Sequence, residues 1–336
     1  NPTAPRSAPG MLVEALARRH AAGIAPFAVM SCDNLPSNGE TVQRIVIRFA
    51  GLRDAALGDW VSQNVAFPGT MVDRIVPSTT DADRATIAGL IGAEDAWPIM
   101  TEPFTQWVIE DKFPQGRPPF ETVGAQLVGD VEPFERMKLR MLNGSHSTIA
   151  YLGYLAGHEY VSQAIADPAF FKLIHGLMTE EAMPTLDMPG TDLGAYRDEL
   201  LTRFANPALQ HRTWQIAMDG SQKLPQRLLG TIRDRLKAGQ SFDRLALGVA
   251  GWMRYVVGID EKGENIDVRD PHAMRMMAIS AEAGDDAEAL YVGLTAMTEV
   301  FGTDLADNQD FGDAVVTQLE NLFDLGVLET IKELVD

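Results

Sequence analysis

Between residues 135 and 146 the chain reads Glu-Arg-Met-Lys-Leu-Arg-Met-Leu-Asn-Gly-Ser-His, and four of these side chains could do chemistry together. At roughly 100° per helical residue, Lys138, Glu135, His146 and Asn143 fall at about 0°, 60°, 80° and 140° around one helix. Leu142 shares that arc, and a solvated face seldom carries leucine beside histidine and asparagine. Gly144 costs a helix interior about 1 kcal/mol, which a close approach of ligand or backbone would justify. Such an arc suits proton transfer at an alcohol carbon. A lysine serves as general base only where burial or a nearby cation lowers its pKa toward neutrality. The Asn143 amide can donate to a developing alkoxide or carbonyl oxygen. His146 could then hold a neighbouring hydroxyl, and Glu135 could relay the proton to water. The same spacing also fits an ordinary surface pair between Glu135 and Lys138, with His146 satisfied in the core. Spacing alone leaves both readings open.

Other routes to alcohol oxidation find less support. A catalytic zinc needs Cys, His or Glu ligands, whereas His20, His146, His158, His175, His211 and His272 are scattered and form no HxxxH pair. Tyr151, Tyr154 and Tyr160 are not followed by lysine at Tyr-x-x-x-Lys spacing. Neither a Gly-x-Ser-x-Gly nor a P-loop pattern occurs. A lysine acting without metal is what survives. A second amide, Asn34, sits in Ser31-Cys32-Asp33-Asn34-Leu35-Pro36 at the end of an expected strand, where open α/β sheets bind ligands. It serves equally well as an Asx-turn or cap before the next helix. Asp73-Arg74 beside a strand reads as structural, and Arg254 and Lys262, flanking Gly258-Ile259-Asp260-Glu261, as cations at a helix C-terminus.

These residues must be positioned by two kinds of chain. Helical spacing over Met11–Ala22, Glu40–Ala50, Ala56–Val65 and Ala82–Ile91 alternates with short apolar strands at Phe27–Ser31, Asp73–Pro77 and Trp107–Ile109. That alternation predicts α/β organisation around a parallel sheet. Beyond Val131 helical patterns dominate: Pro133–Ile165, Asp167–Glu180, Tyr196–Phe204, Leu224–Ala238, Ser241–Val257, Asp285–Phe301 and Asp310–Val335. The expected division is an α/β domain over 1–128 and a helical domain over 129–336.

The bulk composition narrows the partners. Of 336 residues 46% are hydrophobic and 22% charged, as in globular proteins, and 47 acids against 28 bases give a net charge of −19. Nucleic acid and anionic membrane surfaces are poor partners for such a chain; a small substrate must be held by a local pocket. The single cysteine, Cys32, excludes an intrachain disulfide and fits a reducing cytoplasm. Apolar runs such as Leu245–Met253 are too short to span a bilayer. The opening Asn1-Pro2-Thr3-Ala4-Pro5 has no signal-peptide pattern and reads like a chain entered partway through.

Taken together, the segments resemble the mannitol dehydrogenase family of polyol-specific long-chain dehydrogenases, which includes fructuronate reductase. Its Lys-x4-Asn-x2-His signature stands here as Lys138, Asn143 and His146. Ser31–Asn34, Thr70–Pro77, Glu102-Pro103-Phe104, Trp107–Asp111, Tyr151–Gly157, Met218–Pro225 and Arg254–Lys262 follow the family in order over nearly the whole chain. The resemblance implies a Rossmann-type domain followed by a helical one, and hydride transfer with NAD(H) or NADP(H) without metal. It implies that Lys138 is the general base, that Asn34 and Asn143 form an oxyanion pocket, and that His146 orients substrate. Glu135 would lie on the proton path, and Asp73, Arg254 and Lys262 would contact substrate hydroxyls or a carboxylate. Asn34 and Asp73 would also border the cofactor. One departure stands out: the family opens with a strand and glycine-rich turn, which Gly89-Leu90-Ile91-Gly92 does not supply. The first half of the cofactor domain is therefore expected to be missing. Within the family, Pro68–Pro77 and Asn34-Leu35-Pro36 resemble the fructuronate reductase branch slightly more, favouring D-mannonate/D-fructuronate over mannitol/fructose. A sugar-binding or scaffold protein without catalysis is the reading from another class.

Overall fold

The structure, a computed structural model, describes residues 4–336. In chain order its first elements are α1 (Ala8–Ala21), α2 (Asn38–Arg53), α3 (Ala55–Asn64), β1 (Thr70–Asp73), α4 (Asp81–Ile91), β2 (Gln106–Glu110) and β3 (Gln126–Val128). Then follow α5 (Glu132–Lys138), α6 (Gly144–Leu155), α7 (Val161–Ala166), α8 (Pro168–Gly176), α9 (Leu193–Phe204), α10 (Thr213–Ala217), α11 (Gly220–Leu224), α12 (Gly230–Lys237) and α13 (Asp243–Val256). The chain ends in α14 (Ala273–Ala283), α15 (Ala287–Thr295), α16 (Thr298–Ala306), α17 (Gln309–Asp324) and α18 (Val327–Val335). Two compact units result, one from Asn1–Ile75 with Pro103–Glu135, the other from Val76–Glu102 with Arg136–Asp336. These limits differ from a single cut after residue 128, since 76–102 counts with the helical unit.

In the first unit, Val13 and Leu16 of α1, Val46 and Ala50 of α2, and Leu57 and Val61 of α3 share one buried cluster with Val29. Asp54 ends α2 and caps α3, accepting from the Ala56 and Leu57 amides at 2.8 and 3.2 Å. The sheet is mixed, not parallel as expected: β1 pairs antiparallel with β2, and β2 parallel with β3. The second strand also lies earlier than read, at Thr70–Asp73. Phe27–Ser31, expected as a strand, is extended chain without a ladder; Val29 N–H donates to the Ala66 carbonyl at 2.9 Å. Apolar composition identifies buried extended chain, but a strand exists only where a partner accepts its hydrogen bonds.

The second unit is built around α13, buried without interruption from Leu245 to Met253, as befits a helix apolar on all sides. Gly248 lets it close on α6: a β-carbon there would stand 2.6 Å from Thr148 Oγ1. The N-terminus of α13 is held by Glu181, whose carboxyl accepts from the Arg244 and Leu245 amides at 2.9 Å each. Three of the long helical stretches contain π-helical turns, at Leu139–Asn143, Leu177–Ala182 and Pro225–Leu229. Among the described residues no helix is long and apolar enough to cross a membrane.

Candidate active site

Lys138 closes α5, and the chain then makes the π-turn Leu139–Asn143 before Gly144 opens α6. The expected arc assumed α-helical steps throughout, and the π-turn alters it. Its i→i+5 bonding, seen where the Gly144 amide reaches the Leu139 carbonyl, brings residues five apart toward one side. Lys138 and Asn143 are five apart, so a pair about 140° apart in an α-helix is drawn together. Gly144 has the cause expected of it, and the cause is backbone: a β-carbon there would lie 2.8 Å from the Arg227 carbonyl.

Around this turn, chemistry-bearing groups are buried beyond ordinary practice. Lys138 is 8% exposed, Asn143 5% and His146 5%, while Ser145, Ser147 and Thr148 are fully buried. Among the described residues Asn143 Nδ2 and His146 Nε2 have no hydrogen-bond partner. An unpaired buried amide costs about 1–3 kcal/mol, a cost that function explains where packing does not. The His146 ring packs against Phe204 at 4.5 Å between centroids and meets His211 edge-on at 5.3 Å. Burial holds its pKa well below the usual imidazole value, with His211, Arg227, Arg203 and Lys138 pushing the same way. His146 is therefore neutral at ordinary pH and can orient a hydroxyl without carrying charge.

Four members of this neighbourhood were not singled out from the sequence: Arg203, His211, Lys223 and Arg227. Arg203 makes a buried two-pronged pair with Glu102 at 2.7 and 3.0 Å. His211 has its pKa lowered to about 4, mainly by burial. Lys223 donates to the carbonyls of Ile216, at 3.1 Å, and Met218, and burial lowers its pKa to about 8. Arg227 Nη1 donates to Ser147 Oγ at 3.2 Å. The usable signal was the polar run Ser145–Thr148 inside an otherwise apolar helix, together with Lys223 standing within the quoted Met218–Pro225 segment.

The remaining expected site residues are distributed as follows. Asn34 and Asp73 belong to the first unit. Asn34 lies exposed on the bend before α2, while Asp73 is buried at the end of β1. Asn38 ties these two segments: its Nδ2 donates to the Asp33 carbonyl at 3.0 Å and the Thr70 carbonyl at 2.8 Å, and its Oδ1 accepts from Thr70 N–H at 3.0 Å. Glu135 Oε1 accepts from the Ser37 amide at 2.8 Å, just ahead of α2. Arg254 donates to the Ile259 carbonyl at 2.7 Å and lies over the Phe323 ring at 5.1 Å. Lys262 reaches toward Gly157, where an added β-carbon would lie 3.5 Å from its Nζ. Cys32 is a free, exposed thiol.

The first unit also carries a cavity of about 750 Å³, lined by Glu40, Glu110, Asp130, Glu132 and Glu135 with Lys112. Phosphates are held by backbone amides at helix N-termini or by cations. Ser37 and Gly39 bring the start of α2 to this cavity, yet five carboxylates against one lysine disfavour a cofactor diphosphate there.

A buried lysine, an unpartnered amide nitrogen and a neutral imidazole thus lie within nine positions, a set of groups able to move a proton at an alcohol carbon. The family model described as mannitol dehydrogenase Rossmann domain matches residues 2–122, and that described as mannitol dehydrogenase C-terminal domain matches 130–323. The expectation that the first half of the cofactor domain is missing finds no support in the Rossmann match. A D-mannonate oxidoreductase of Escherichia coli is 52% identical over 336 residues, covering 99% of this chain and 68% of the relative. A mannitol 2-dehydrogenase of Aspergillus terreus is 41% identical, covering 100% of this chain and 67% of its own length. Among solved structures, the Pseudomonas fluorescens mannitol 2-dehydrogenase in ternary complex with NAD and D-mannitol superposes with a TM-score of 0.89. That match has 40% identity and covers 99% of this chain and 67% of that one. The chain belongs to the mannitol dehydrogenase family, NAD-dependent oxidoreductases acting on CH–OH groups.

Proposed function

We propose that the protein interconverts the secondary alcohol and ketone of a sugar acid, D-mannonate and D-fructuronate, with NAD(H). The supporting observation is the burial of Lys138 beside Asn143 and His146, whose Nδ2 and Nε2 have no hydrogen-bond partner among the described residues. In the oxidative direction Lys138 takes the hydroxyl proton, and Asn143 donates to the oxygen as it becomes alkoxide and then carbonyl. His146, neutral, fixes a neighbouring hydroxyl and with it the face of the carbon that reacts. A bound NAD would supply the acceptor for the hydride that this carbon gives up. Asn34 supplies the second amide, Glu135 passes the proton outward, and Asp73, Arg254 and Lys262 contact the substrate, as the family pattern implies.

Similarity to the D-mannonate oxidoreductase favours the sugar acid, while the D-mannitol complex of the solved relative favours mannitol as the second reading. Steady-state kinetics with fructuronate and with fructose, each with NADH and NADPH, decides between them. The expected result is a higher kcat/KM for fructuronate with NADH. A clear preference for fructose overturns the choice of substrate.

A further inference from the structure

Among the described residues Arg227, like Arg235 and Arg254, has no carboxylate partner; those two donate to the Ser241 and Ile259 carbonyls at 2.8 and 2.7 Å, whereas Arg227 has only a hydroxyl. Arg140 pairs with Asp234 at 2.6 Å, Arg203 with Glu102 at 2.7 Å, Arg233 with Asp304 at 2.6 Å and Arg244 with Glu180 at 2.8 Å. Arg227 lies partly buried on the π-turn Pro225–Leu229, and its one hydrogen bond among the described residues goes to Ser147 Oγ at 3.2 Å. A guanidinium carries five N–H donors in a flat fork. Taking its charge from water without a counter-ion is costly, so such an arrangement persists where a ligand completes it.

Its surroundings say which ligand. The Arg227 carbonyl packs on Gly144, one residue past Asn143, and Ser147 follows His146 in α6. The Arg227 charge is felt at both His146 and His211. Lys223, one helical turn earlier, adds a second cation whose partners are the carbonyls of Ile216 and Met218. Of the nearby acids, Asp270 is engaged by the Ser221 amide and hydroxyl at 2.8 and 2.6 Å and by the His272 amide at 2.8 Å. Asp219 stands at the N-cap of α11, where its charge acts on Lys223. The turn that carries the unpartnered Asn143 amide is thus rich in donors and positive charge. Hydroxyls alone would not need the guanidinium; a carboxylate would, because its two oxygens match the fork.

We propose that Arg227 is the specificity-determining residue that binds the carboxylate of an aldonate or uronate substrate in this site. The inference rests on the sugar-acid reading above, and the experiment separates the two. In the full-length enzyme, Arg227→Gln and Arg227→Lys are compared with wild type on fructuronate and fructose, with circular dichroism and thermal unfolding to establish folding. Arg227→Gln is expected to raise KM for fructuronate about 100-fold, with a smaller change in kcat, because a charge-assisted bidentate contact is lost. The ratio of kcat/KM for fructuronate over fructose falls accordingly. Arg227→Lys recovers only part of that ratio, since it keeps the charge and loses the fork. A wild-type enzyme that prefers fructose overturns the substrate reading, and the role of Arg227 with it. A wild type that prefers fructuronate, with a ratio untouched by Arg227→Gln, overturns the role alone. Should Arg227→Gln fail to fold, Arg227→Lys decides: a lowered ratio supports the assignment and an unchanged one refutes it.

Discussion

A buried amide without a partner costs a fold about 1–3 kcal/mol, and Asn143 Nδ2 is in that condition beside Lys138 and His146. Function and stability therefore pull in opposite directions at this residue. Asn143→Ala should lower kcat by about 100- to 1,000-fold, the usual effect of removing a donor to a developing oxyanion. Its melting temperature should be no lower than wild type, because the change removes an unsatisfied group along with some packing. A large loss of stability with little change in kcat would show the amide to be structural. At this scale the sequence was informative because Lys138, Asn143 and His146 lie within nine consecutive positions. Arg227 and His211 were not legible, since they come to His146 from distant segments. An arginine awaiting an anion is indistinguishable in sequence from one paired with an acid.

At the scale of elements, the π-turn matters more than the helix it interrupts. Helical periodicity marks the apolar face of Pro133–Ile165, yet it carries no mark of one extra residue in a turn, so spacing alone gives an arc on α-helical steps. The same blindness affected the sheet, where apolar character located Trp107–Ile109 but could not say which neighbour would pair in which direction. Glu181, on another π-turn, supports α13 by accepting two amides. Burial raises its pKa to about 7 against the ordinary 4.5, more than those amides and Arg244 lower it. The folded state thus holds this proton between pH 4.5 and 7, where the unfolded chain has released it. Its contribution is full below the unfolded pKa and is lost as pH rises through about 7. His211, lowered to about 4, acts oppositely, losing stability as pH falls from 6.5. The Glu181 effect is therefore read as a difference. Relative to wild type, Glu181→Gln should gain melting temperature from pH 5 to pH 8; parallel curves would rule out this titration.

At the scale of the whole molecule, the net charge of −19 leaves attraction of an acidic substrate to a local concentration of cations. Lys138, Lys223 and Arg227 around His146 and His211 provide such a concentration within one unit. The higher kcat/KM expected for fructuronate therefore depends on the assembled unit, which brings Arg227 from its own π-turn to the stretch that carries Asn143 and His146. The two-part division was legible from the change of pattern near Val131. The exchange of 76–102 between units was not, because α4 buries none of its residues and leaves no core-facing stripe to read.

Whether Lys138 removes the hydroxyl proton is read out by single-turnover kinetics of Lys138→Ala in the full-length enzyme. Loss of a positioned general base costs about 100- to 10,000-fold. The hydride-transfer rate should fall by at least that lower factor, with the substrate dissociation constant little changed and the pH dependence of the residual rate altered. A variant that transfers hydride at the wild-type rate with the wild-type pH profile would contradict that role.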